Sequence, residues 1–158
     1  MNQSLKTNRL EKWLVDWYLE ALASGTNFTF KSTDSFNSFP SQRAAYEFYL
    51  KKFQETGTIE IWTGSSDSSI YSLPIYNHIF RCWHDYVHLT ERLDFSYEGE
   101  TQVYFHQKNM LPPDWVDERM LVEAELLGQL IYHQVFNEFP KDQKEFTSNY
   151  LQGKLIKS

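Results

Sequence analysis

The stretch Pro74 to Leu93, PIYNHIFRCWHDYVHLTERL, decides the fold class and frames the candidate site. Proline suits the first turn of a helix, where its missing N–H costs nothing, so Ser72-Leu73-Pro74 reads as a helix start. At 100° per residue, Tyr76, Ile79, Phe80, Trp83, Tyr86 and Val87 gather on one face, which predicts an amphipathic helix with that face in the core. Asn77, Arg81, His84, His88 and Glu91 form a second, polar stripe along its border. A protein built on such a helix is helical first, and its neighbours in sequence support that.

Upstream, Asn8 and Glu11 have capping-box spacing, and Leu10, Trp13, Leu14, Trp17 and Ala21 recur at helical intervals, predicting a first helix over 8–24. Pro40-Ser41 opens a second helix that Gly57 stops near Thr56. TIEIWTG, residues 58–64, reads as a strand from its alternation, and it needs a partner from Phe28–Phe30 or Ser69–Tyr71 to satisfy its backbone. Downstream, SYEGETQVYFHQKN is ambiguous between a short helix and an extended segment. Pro112-Pro113-Asp114 starts a fourth and longest helix, ended by Phe139-Pro140, and a short fifth covers 141–152. The expectation is a single, mainly α domain over residues 1–158, of about five helices with a two- or three-stranded β element.

Composition narrows the function classes. The 158-residue chain is 41% hydrophobic, with 12 Phe, 10 Tyr and 5 Trp, enough large side chains to build a core unaided. A net charge of −6 argues against a nucleic-acid partner, because phosphate-backbone binding needs clustered Lys and Arg. One cysteine, Cys82, excludes an intramolecular disulfide and suits a reducing compartment, with the thiol read as an apolar filler. The first residues, MNQSLKTNRLEKW, lack the apolar run of a secretory signal, and no stretch approaches the ~20 apolar residues of a membrane span. The expected location is the cytoplasm, with no membrane partner.

The chemistry concentrates on the histidine helix. His84 and His88 stand one turn apart, ~6 Å between side chains, close enough for two imidazoles to share a divalent metal ion such as zinc, iron or manganese. The fourth helix is apolar nearly all round, yet carries a stripe of Glu125, Gln129 and His133. Glu125 and His133 lie ~12 Å apart along that helix and cannot both bind one ion. The predicted centre is therefore His84 and His88 with a third ligand from Glu100, Glu125 or His133, and a spare carboxylate, Glu100 or Glu125, acting as general base on metal-bound water. That describes a small metal-dependent, hydrolytic enzyme acting on a small-molecule substrate. HxxxH also arises on ordinary helices, and Glu125 equally suits an ion pair with Arg81, Arg92 or Arg119. The contrasting class is a non-enzymatic helical domain that binds a protein partner or assembles with itself through its aromatic surface, Trp13, Trp17, Tyr46, Tyr49, Trp62, Trp83 and Trp115.

Three resemblances bear on the site. The doublet His84-Asp85 resembles the HD-domain phosphohydrolases, but the only upstream histidine is His78, six residues away on the same helix. Asp85-x-x-His88 resembles half of the carboxylate-x-x-His pattern of ferritin-like di-iron proteins, which repeat it on a second helix where this chain does not. The run FRCWHDYVHLTERLDFSYEGE, about an eighth of the chain, resembles a segment of uncharacterised bacteriophage-encoded proteins in which HDxxH precedes Asp-Phe and Gly-Glu. That last resemblance implies a viral origin and expression in a host cytoplasm, and no particular chemistry.

Overall fold

The computed structural model describes residues 5–158. Among them, α1 (Asn8–Ala23) leads into β1 (Asn27–Lys31), a 3-10 turn (Phe36–Ser38), α2 (Gln42–Thr56) and β2 (Thr58–Trp62). Then come α3 (Pro74–Thr90), α4 (Tyr97–Met110), α5 (Val116–Glu123), a π-helical turn (Ala124–Gly128), α6 (Gln129–Phe136) and α7 (Gln143–Leu151). The π turn joins α5 to α6 without a break, so the predicted fourth helix is one rod with a bulge in its middle. The mainly helical class with a small β element is as the sequence indicates, and the ambiguous segment after α3 is a helix.

The β element is a parallel pair, with Phe28 opposite Ile59 and Phe30 opposite Ile61. Parallel strands cannot be joined by a tight turn, and α2 provides the crossover between them. Ser41 caps the start of α2 by accepting from the Ala44 N–H at 3.1 Å, and Gly57, at φ 68°, ends it in the left-handed conformation that launches β2. The expected capping box of α1 is not made. Thr7 is its N-cap, and Glu11 instead turns away to accept hydrogen bonds from the Ser72 N–H and hydroxyl, tying α1 to the segment that precedes α3.

α3 is the central element. Its Ile79, Phe80, Trp83 and Val87 pack with Leu10 and Leu14 of α1, Val103 of α4 and Leu121 and Val122 of α5. Its Cys82 and Leu89 close a second cluster on Ile59 and Ile61 of β2. Trp13 lies against Trp83 with ring centroids 4.6 Å apart, so these members of the aromatic series are core. Burying side chains of this size contributes on the order of 1.5–3 kcal/mol each, and α3 contributes to both clusters. The consequence for function is that its polar stripe is covered from Asn77 to His88 and open only at Glu91. Asn77 is 2% exposed and bonds the Ser66 hydroxyl, and His88 is fully buried. The 62–66 segment and α4 cover the stripe from its two ends. No helix among the described residues is long and apolar enough to cross a membrane.

Candidate metal centre

The end of α3 sets the geometry. Glu91 closes the helix, Arg92 adopts φ 56°, and the Leu93 N–H reaches back to the His88 carbonyl at 2.9 Å. This is a Schellman-type stop with an arginine where glycine is usual. The chain then turns through Asp94, whose carboxylate accepts from the Ser96 N–H and hydroxyl, and Ser96 caps α4 by accepting from the Gly99 N–H. A side chain at Gly99 would collide with the Asp94 backbone, so glycine is required there for the close approach of helix to turn. The tight turn lays α4 against α3 and brings Glu100 to the histidines.

Three donor atoms converge there. The Glu100 Oε2 lies 3.0 Å from Nε2 of His84 and 3.0 Å from Nε2 of His88, and the two Nε2 atoms are 3.2 Å apart. Neighbouring ligand atoms around an ion with bonds of ~2.0–2.1 Å stand roughly 2.8–3.4 Å apart in octahedral or tetrahedral geometry, so the triangle already has the edges of a coordination face. Each ring is held from behind. Nδ1 of His88 donates to the Leu93 carbonyl at 2.8 Å, which can only accept, and Nδ1 of His84 donates to Oε1 of Gln107 at 2.8 Å. With Nδ1 of each ring committed as a donor, each Nε2 faces Glu100 Oε2, where it can share a proton with the carboxylate or ligate a metal ion in the proton's place, the orientation by which metal-binding histidines fix their rings. Phe95 lies edge-on to His88 at 4.9 Å and adds an apolar wall.

Electrostatics agree with a cation at this point. Burial disfavours a charged His84, yet the Glu100 carboxylate, hydrogen-bonded to it, and Asp85 outweigh that and push its pKa up to about 9. Burial would raise Glu100, but His84 and His88 hold its carboxyl far below the usual range. Asp85 is raised, first by burial, with His84 and His88 opposing and Glu100 adding to the rise. Three donor atoms and a second carboxylate thus share a site that attracts positive charge, whether proton or metal ion. His88 is sealed, while His84 and Glu100 keep 19% and 26% of their side chains exposed, so the centre has one open side.

The other predicted residues lie elsewhere. His133 stacks on Phe139 at 4.6 Å and is not brought to the pair. Glu125 sits in the π turn, 7% exposed, with Oε1 lacking a partner, and burial pushes its pKa up to about 8 against the pull of Arg81. It forms no ion pair among the described residues with Arg81, Arg92 or Arg119; Arg119 donates instead to the Leu111 and Pro112 carbonyls. Of the candidate third ligands, the structure brings Glu100 alone to the histidines, and of the two places the sequence offers it, third donor or spare base, its geometry is that of the donor.

No family model, curated protein or solved structure matches this chain. The centre is read from its own geometry, and among the described residues His84, His88 and Glu100 are the group whose donor atoms all lie within 4.8 Å of one another. Buried Cys82 is raised strongly by burial and takes no part.

Proposed function

We propose that the protein is a small metal-dependent enzyme of hydrolytic type, with a divalent ion held by Nε2 of His84, Nε2 of His88 and Oε2 of Glu100. The observation that carries this is the 3.0–3.2 Å triangle of donors backed by Gln107 and the Leu93 carbonyl. Two histidines and one carboxylate leave coordination positions free, the hallmark of catalytic rather than structural sites. Zinc, iron and manganese all accept this donor set, and such an ion lowers the pKa of bound water towards ~7 and polarises a substrate oxygen.

Asp85 is the spare carboxylate. It follows His84 on α3, interacts electrostatically with all three ligands, and burial raises its pKa, so the carboxylate beside the centre is the candidate to take a proton and return it to a leaving group. The open side left by the partly exposed edges of His84 and Glu100 would admit the small-molecule substrate. The test is turnover of p-nitrophenyl phosphate and p-nitrophenyl acetate by protein reconstituted with zinc, manganese or iron. Metal-dependent hydrolysis that disappears in His88→Ala, and falls in Asp85→Asn without loss of bound metal, is expected. Reconstituted protein that turns over neither substrate above its His88→Ala variant contradicts the hydrolytic reading.

A further inference from the structure

One turn before His84 on α3 stands Arg81, and its surroundings differ from those of the other anchored arginines. Arg9 forks onto Glu118, and Arg119 spends Nε and Nη2 on carbonyls. Arg81 uses only Nη1, which donates to the Trp62 carbonyl at 2.8 Å and the Gly64 carbonyl at 2.6 Å. Its Nε and Nη2 have no hydrogen-bond partner and no carboxylate within ion-pair distance among the described residues, although the side chain is half-buried. A planar guanidinium with a free edge is a fork shaped for an oxyanion.

The fork is also held in place. The Trp62 indole stacks on the guanidinium with 4.9 Å from Cζ to ring centroid, and its Nε1 donates to the Ser32 carbonyl at 3.2 Å. The ring folds back over Gly64 so closely that a side chain there would collide with it. Residues Trp62, Gly64 and Ser32 therefore form a platform that fixes Arg81 in one orientation, beside a stripe neighbour, His84, about 5–6 Å away between Cβ atoms.

We propose that Arg81 binds the phosphate or carboxylate group of the substrate, so that the anion bridges this guanidinium and the ion held by His84, His88 and Glu100. This rests on the metal reading above and extends it by naming the substrate class. Charge supports it: Asp85, Glu125 and Asp34 are the acids that Arg81 senses, and Glu125, with its pKa pushed up to about 8, is neutral over most of the physiological range. A divalent ion with Arg81 offsets the charges of Glu100, Asp85 and Asp34, so the centre does not repel an anion.

The test is calorimetric titration of zinc-loaded protein, excess zinc removed, with inorganic phosphate and separately with acetate. Wild type is expected to bind at least one of them. Arg81→Gln, and Gly64→Ala, which displaces the indole and leaves the arginine intact, should weaken binding about tenfold or more while retaining bound zinc. Arg81→Lys, which keeps the charge and loses the fork, should fall between. Zinc-loaded wild type that binds neither anion, or an Arg81→Gln variant that binds both as tightly as wild type, overturns the proposal and leaves the metal centre standing. A chain that takes up no zinc overturns the metal reading and this one with it.

Discussion

Replacing Glu125 by Gln is expected to stabilise the chain by an amount that grows with pH. Glu125 is 7% exposed, its Oε1 has no partner, and burial pushes its pKa up to about 8 from an ordinary 4.5. The unfolded chain loses this proton above pH 4.5, while the folded chain keeps it to about pH 8. The unfolded state therefore binds fewer protons across that interval, and stability declines as pH rises through it. The cost is absent below pH 4.5 and complete above about pH 8. The shift, 8 minus 4.5, is about 3.5 pH units, worth on the order of 5 kcal/mol at ~1.4 kcal/mol each, and about 3 kcal/mol of it is expressed at pH 7. Glutamine keeps the shape and never ionises. Urea unfolding of both proteins at about pH 5, 7 and 8.5 isolates the effect, because every other titrating group cancels in the difference. The variant's advantage should be below ~1 kcal/mol at the lowest pH and rise towards ~5 kcal/mol at the highest. A difference that stays flat across the range refutes the reasoning.

Three further outcomes follow from the site's supports. Gln107→Leu removes the acceptor behind His84, and a chelator-competition titration should find zinc affinity lowered ~10–100-fold with the far-ultraviolet circular dichroism unchanged; unaltered affinity contradicts the orienting role. Gly99→Ala forces α4 away from the Asp94 backbone, costing ~1–3 kcal/mol in denaturant unfolding, and weakens metal binding because Glu100 is the next residue. Arg92→Gly relieves a left-handed arginine at φ 56° and should gain up to ~1 kcal/mol, seen as a thermal midpoint ~2–4 °C higher; a lower midpoint counts against the strain.

Periodicity carried the fold because α3 repeats its apolar residues for four turns, and the TIEIW strand alternates cleanly. Local chemistry was less readable. Asn8 and Glu11 match a capping box, but Glu11 finds a better partner in Ser72, sixty-one residues away in sequence. The π turn at Ala124–Gly128 leaves no mark in an apolar run, since one inserted residue barely alters the pattern. At the site, the histidine pair was visible from spacing, and Glu100 was one of several acids until the turn at Arg92–Ser96 placed it. Gln107 was missed. It shares a face with Glu100, seven residues earlier, but that relation exists only once the segment is known to be helical. Trp62 and Gly64 read as the end of a strand, and their hold on Arg81 depends on β2 packing beside α3.

Metal stoichiometry tests the central claim most directly. Chain purified, stripped with chelator and equilibrated with zinc should retain one ion per molecule by elemental mass spectrometry. The ion should be lost from Glu100→Gln and from a His84→Ala, His88→Ala double variant. Wild type that retains none, or variants that retain as much as wild type, would show that the triangle of donors holds a proton rather than a metal.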